Sequence, residues 1–547
     1  MSSRFVKGAM VLSMSLFIVR LVGLIYIIPF GNMVGGTGLA LYGYAYVPFT
    51  ILITLSGLGI PGGIAKFVSK YNADKEYDVS RQIFRISMIV MVFLGLITFS
   101  IMYFGAPIFA NAVLDGTDMH NTIADVTTAI RMVSFAALII PSMSIMRGFF
   151  QGNNNMNPTA ISQLVEQLVR IALIIGGSFV VIYILPNGTV SQAVNISVFA
   201  AFVAAISSFL VLYRSWRRSK PEFDALLAQT IPHPPRDMKK LFRELLSYAL
   251  PFAVISLIAS AFQLIDTMTV NTALLRNGLD PKLAEEMFGI YITGLAKIIM
   301  IPVSFAIAFG QPLIPEITEK VQLKNFAGVN KAITSAIMLT SFITIPTVIG
   351  LGLLSNPIFI MLLNQGPELN LIGGRMFGFG ALIALFMGLN AILDAIMQGI
   401  GKQYVALKLL VVGIVVKIIG NLVLIRFFNI NGAILSTIIA FSVCIVLKYL
   451  VIKKTTRIQT RVIVKRHIAI VVVAGLMALA VWSTSLILGF VLDYNNSRFT
   501  ATLYVIICGI IGVAVYGGLS IYLDITTVLL GKKIDLGGIA SRFKRRK

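Results

Sequence analysis

At 547 residues, 57% hydrophobic and 12% charged, with a mean hydropathy of +0.90, the chain is too apolar for a soluble fold; soluble domains carry about 25% charged residues. Its net charge of +23 would suit nucleic acid if it formed one patch, but the basic residues sit in alternate loops, the pattern of a helical bundle against an anionic inner leaflet. Porin-like alternation is missing, so a β-barrel is excluded too.

The apolar residues come in blocks long enough to cross about 30 Å of hydrocarbon as helices. The first run, 8–30, follows a short basic stretch and lacks a small-x-small exit, so it reads as a first span and not a cleaved leader. Arg20 lies mid-run, with Ser13 and Gly23 on about the same helical face. Runs at 39–62, 83–106 and 127–150 follow, with Arg147 near the end of the last, where a long side chain can snorkel. The fifth, 158–184, holds Arg170 one turn after Glu166, the favoured order for a helical ion pair, beside Gln163 and Gln167. The sixth is 191–213. The connector 214–245 is the longest, and Pro221, Pro232, Pro234 and Pro235 interrupt it, so no soluble domain fits there.

The seventh run, 247–272, carries one polar stripe of Ser256, Ser260, Gln263, Asp266, Thr267 and Asn271. A membrane carboxylate marks a cation or proton site by default, and Asn421 and Thr437 offer neutral oxygens of the kind hard cations such as sodium prefer. The competing reading pairs Asp266 with a cavity base. The eighth run, 286–310, has Lys297 near its middle among Leu295, Ala296, Ile298 and Ile299. A charge at that depth costs roughly 2.5–3.5 kcal/mol on insertion scales and normally faces a watery cavity. The ninth, 331–354, is bent or ended by Pro346 and Pro357. The rest are 372–398, 404–425, 431–452, 467–491 and 499–523. Lys417, in the eleventh, has no acid at i±4. Cys444 and Cys508 sit inside apolar runs without metal or disulfide spacing, and His120, His233 and His467 are scattered at loops or helix ends.

Loop charge orients these fourteen spans. Lys66, Lys70, Lys75, Arg81 and Arg85, then Arg214 to Arg243, Lys320 to Lys331, Lys453 to Arg466 and the Arg542–Lys547 tail lie on one side. Asp115, Asp118, Asp125, Glu285, Glu286, Glu368 and Asp493 mark the other, which puts both termini in the cytoplasm. Segments 137–171 and 384–418 also correspond at a fixed offset. Gln151-Gly152 falls on Gln398-Gly399, and Arg170 on Lys417. The expected architecture is all-α, with fourteen transmembrane helices in two six-helix lobes plus two C-terminal helices around a central cavity. Its divisions are 1–215, a linker 216–245, a second lobe 246–455, and 456–547 for the last two helices and tail. Two parallel halves that rock about a central site are a transporter design. No phosphate-binding G-x-x-x-x-G-K-[ST] loop supports an ATP-driven pump.

The eighth run, Lys297 to Pro302 to Gly310 and on to Pro315, resembles the signature helix of the MurJ-type lipid II flippases, within the multidrug, oligosaccharidyl-lipid and polysaccharide exporter superfamily. Arg20-Leu-Val-Gly23, running to Gly31 and Gly35-Gly36, is similar to the first helix of that family. The resemblance implies a bacterial plasma-membrane flippase, not an enzyme, that moves a polyprenyl-pyrophosphate-linked sugar by alternating access. It maps cavity bases onto Arg20 and Lys297 and, more loosely, onto Lys66. Tyr26 stands where many members have a second arginine, a departure like that of the Gram-positive branch. On this reading Arg20 and Lys297 hold pyrophosphate, Lys417 and Arg170 line the path, and Asp266, Asn421 and Thr437 couple an ion. No cofactor is expected beyond Na+, H+ or the membrane potential; expected partners are anionic lipids and cell-wall synthesis enzymes. Rival readings are a lipid-linked polysaccharide exporter, a drug/cation antiporter (which favours acids and aromatics over bases) and a membrane glycosyltransferase.

Overall fold

The computed structural model describes residues 26–57, 60–114, 119–234, 237–456 and 460–525, together with Val19, Val22, Gly23 and Ile458. The described residues are predominantly helical, without strands. The helices are α1 Ile27–Gly57, α2 Ile60–Ala73, α3 Tyr77–Leu114, α4 Ile123–Ser134, α5 Ile140–Gly152, α6 Asn157–Phe179 and α7 Val190–Leu227. Then come α8 Met238–Arg276, α9 Pro281–Gly289, α10 Ala296–Gln322, α11 Phe326–Leu353, α12 Ser355–Leu362 and α13 Pro367–Gly399. The series closes with α14 Gln403–Phe428, α15 Ile430–Thr456, α16 Thr460–Gly489 and α17 Arg498–Tyr522.

Twelve stretches among the described residues are long and apolar enough to cross a membrane. The predicted first span, with Arg20, falls almost wholly outside the described residues, and the predicted seventh lies along α8. The ninth was expected to bend or stop at its prolines. In fact α11 runs through Pro346 to Leu353, and Pro357 enters near the start of the short α12, where its missing N–H costs no helical hydrogen bond. Phe104, Ile108, Ile510 and Val513 are exposed, as side chains against lipid tails are.

The chain forms two compact units. One holds residues up to Lys297 together with Leu410–Thr437; the other holds Ile298–Leu409 and the chain from Ile438 onward. In the first unit, α9 packs on α1 with almost no side chain between them. A Cβ at Gly289 would lie 2.1 Å from the Gly36 carbonyl oxygen, so the backbones approach as only glycine permits. Small residues are the way membrane helices gain dispersion where no hydrophobic drive exists.

The internal correspondence extends to backbone geometry. After α5, Asn154 (φ 57°) donates to the Gln151 carbonyl and Asn155 to Phe150; after α13, Gly401 (φ 73°) donates to Gln398 and Lys402 to Met397. In one unit Gly152 lies against Ala65 and Val68 of α2; in the other Gly399 lies against Ile314 and Ile317 of α10. The turns after those partner helices match as well, with left-handed Lys75 and Lys324. The hydrogen bonds after α5 and α13 recur at the offset of the sequence correspondence, in the left-handed C-cap form that many helices share.

Between α7 and α8, residues 228–234 are pinned back on the turn before α3 and on α3 itself. Ile231 donates to the Lys75 carbonyl, while His233 sets Nε2 2.9 Å from Asp78 Oδ1 and Nδ1 2.9 Å from the Pro234 carbonyl. Both ring nitrogens face acceptors, so the imidazolium is favoured. The Pro234 carbonyl and then Asp78 raise the His233 pKa above its ordinary 6.5. The clasp is therefore complete below about pH 6.5 and is lost as pH rises through the raised value. Proteolysis within 228–237 should be slower at pH 6 than at pH 8.5, and Asp78→Asn should erase the difference.

Candidate functional site

Two groups of charges lie inside the first unit. The first gathers around an aromatic stripe on α1. Tyr42 and Tyr46, one turn apart, stack with centroids 5.0 Å apart, and Tyr42 meets Phe30 edge-on. Lys297 Nζ lies 5.5 Å from the centre of the buried Tyr26 ring, a distance at which the ring quadrupole attracts a cation. Arg170 donates from Nη1 to Tyr46 Oη at 3.4 Å.

Arg170 also donates to Glu166 Oε1 at 2.7 Å, while Arg147 donates to Glu166 Oε2 at 2.7 Å and to Ser208 at 2.8 Å. One carboxylate thus serves two guanidinium groups, and the triad keeps a net positive charge. Arg147 does not snorkel: its guanidinium stays inside, joined to α6 and α7. Arg170 Nε is buried without a hydrogen-bond partner, a donor that an anion would satisfy. Among the described residues no carboxylate pairs with Lys297.

Backbone geometry aims Lys297. A π-helical turn over Ile290–Leu295 separates α9 from α10; such widened turns often mark working sites within helices. It points Tyr291 toward α8 and Thr293 onto the Leu39 carbonyl, 2.9 Å away, and Lys297 follows two residues later.

The second group is an ion pair sealed from solvent. Lys417 Nζ sits 2.6 Å from Asp266 Oδ1, with side-chain exposures of 0% and 4%. It also donates to Thr437 Oγ1 at 2.6 Å and to the Ala433 carbonyl at 3.0 Å. Asn421 donates to Asp266 Oδ1 and Tyr291 to Asp266 Oδ2, both at 2.8 Å. Lys417 was expected to face a cavity because its own helix offers no acid; the acid comes from α8 instead. The residues expected to ring a sodium ion, Asp266, Asn421 and Thr437, do converge, but an ammonium stands among them.

Lys66 is exposed on α2. Arg20 lies outside the described residues.

A family model described as "Polysaccharide biosynthesis protein" matches residues 5–321. The lipid II flippase MurJ of Bacillus subtilis (strain 168) is 36% identical over 535 residues, 98% of each chain. The chain belongs to the MurJ family. A solved lipid II flippase MurJ in an inward closed conformation shares its fold, with a TM-score of 0.63 at 17% identity, covering 96% of this chain and 100% of that one. An inward-facing multidrug resistance MATE transporter of the MOP superfamily matches at 0.63 and 16% identity, over 81% and 99%.

Tyr26, where the resemblance led us to expect a second arginine, instead sets its ring against Lys297. Tyr42, Tyr46 and Tyr291 were not singled out from the sequence, although Tyr42 and Tyr46 at i, i+4 announce one helix face. Glu285 was assigned to an outer loop by its acidity, yet it is fully buried.

Proposed function

We propose that this protein moves a polyprenyl-pyrophosphate-linked sugar, lipid II foremost, across the bacterial plasma membrane by alternating access, with both termini in the cytoplasm. The pyrophosphate head is anionic and strongly hydrated, and it crosses only if the protein replaces its water. Lys297 and Arg170 supply charge-assisted donors for it, with Arg20 and Lys66 contributing on approach, and the apolar tail stays in lipid. The observation that carries this reading is the Lys297 ammonium, held by the Tyr26 ring and, among the described residues, left without a carboxylate beside a triad of net positive charge. A drug/cation site would share the aromatic faces but put acids where these bases stand.

For the drive we propose membrane potential or protons in place of sodium. Lys417 already contributes the positive charge that Asp266, Asn421 and Thr437 would otherwise recruit. The potential is worth about 2.3 kcal/mol per charge per 100 mV, and a net positive site is sensitive to it. Anionic inner-leaflet lipids are the partners of the basic loops, and cell-wall synthesis enzymes the consumers of the exported head group.

The test is replacement. In a bacterium depleted of its own lipid II flippase, expression of this chain should restore lipid II that an externally added probe can reach. Normal membrane levels of the protein without that recovery would overturn the assignment.

A further inference from the structure

Glu285 is 0% exposed, and among the described residues no lysine, arginine or histidine pairs with it. Three donors converge on its two oxygens: Tyr44 Oη on Oε1 at 3.2 Å, and the backbone N–H and side-chain Nδ2 of Asn121 on Oε2 at 3.0 and 3.1 Å. Asn121 also donates to the Thr37 carbonyl at 3.0 Å, and Asn271 donates to Tyr44 Oη. One carboxylate thus ties together α1, the segment before α4, α8 and α9, all within the first unit. The groups that face it are the Tyr44 phenol from α1, His120 and Asn121 from the segment before α4, and neutral Asn271 from α8; Glu286 is its neighbour on α9.

We propose that Glu285 is a proton-binding site that latches this end of the first unit, the outward end in the orientation given above. The reading rests on the transport assignment. A bare carboxylate at full burial is tolerated because every donor points at it. A proton on Oε1 breaks that pattern. The Tyr44 hydroxyl, already accepting from Asn271, then faces a donor where it had an acceptor. The clasp between α9 and α1 loosens just where Gly289 and Gly36 allow the backbones to meet. Binding balances simply: one proton from the external water forms the Glu285 O–H bond and breaks the Tyr44 hydrogen bond, and release reverses both. The ligand is the proton, and the partner carboxylate Asp266 is excluded from this role by Lys417.

Accessibility tests the proposal without any lipid-linked substrate, so its failure is separable from failure of the flippase assignment. Ala40, fully buried beside Gly289, is changed to cysteine with Cys444 and Cys508 replaced by serine. Labelling by an impermeant thiol reagent is measured in inside-in vesicles, normalised to unfolded protein at each pH. Labelling should be at least fivefold faster at external pH 5 than at pH 8. Glu285→Gln, which mimics the protonated acid, should label fast at both. Tyr44→Phe, which removes one donor while leaving the carboxylate, should label fast at pH 8 too. PH-independent labelling of the parent protein, or unchanged pH dependence in Glu285→Gln, would overturn the proposal. If Glu285→Gln does not reach the membrane, the parent and Tyr44→Phe results decide it.

Discussion

Asp266→Ala should be the most destabilising single substitution in the first unit. It leaves the Lys417 ammonium at zero exposure with two neutral oxygens, Thr437 Oγ1 and the Ala433 carbonyl, and no countercharge. Removing one partner of a buried pair costs about 3–5 kcal/mol, because the survivor keeps its desolvation penalty. Net stabilities of folded proteins are only about 5–15 kcal/mol, so most of the reserve is consumed. The reverse change is milder. In Lys417→Met, Asp266 can take a proton and keep Tyr291 and Asn421 as neighbours. The double variant Asp266→Leu/Lys417→Met removes both charges and should regain most of the loss, since well-packed apolar replacements of ion pairs are often neutral or better. Thermal unfolding in detergent, followed by monodispersity, reads all three. Should Asp266→Ala match the parent protein, the pair would not be structural, and a transport role for Asp266 would return to the front.

The same pair shows what one sequence can and cannot disclose. Helix positions were legible because apolar blocks of spanning length have few other uses in such a chain; thus α3 and α13 enclose their predicted runs, and α4 and α5 together cover 127–150. The Gln-Gly and Arg/Lys correspondence was legible too, and the turns after α5 and α13 reproduce it bond for bond. Charge partnership was legible only in part: a cavity base was among the readings for Asp266, but not which base. Lys417 looked free because helical spacing reports only its own helix, and Asp266 arrives from another. Glu285 looked like a loop acid because composition cannot show a π-helical turn, or a segment before α4 folding Asn121 onto it. Lys297 was read as facing a watery cavity, and the Tyr26 ring beside it was read as a missing arginine. Long-range pairing depends on packing, and packing leaves no periodic trace.

Lys297→Gln should cut transport strongly while leaving the protein's amount and stability near normal. The two outcomes separate here for a physical reason. Lys297 is partly buried, held by the Tyr26 ring, and has no carboxylate among the described residues to orphan. Losing the cation–π contact costs about 0.5–2 kcal/mol, and glutamine recovers part of it by packing the same stem. The charge-assisted contact to a pyrophosphate is different. Hydrogen bonds to charged groups contribute roughly 1.5–3 kcal/mol, which is about a tenfold to hundredfold loss at 1.4 kcal/mol per decade. Lys297→Arg keeps the charge and should retain most activity. Arg170→Gln should be costly as well, but for a mixed reason, since it also leaves Glu166 to Arg147 alone and converts a positive triad into a neutral pair. Tyr26→Phe preserves the ring and should be nearly silent. The measurement is externally accessible lipid II at matched membrane levels in the depletion strain. Normal transport by Lys297→Gln would remove this ammonium from the substrate path and leave its position inside the helix without a use.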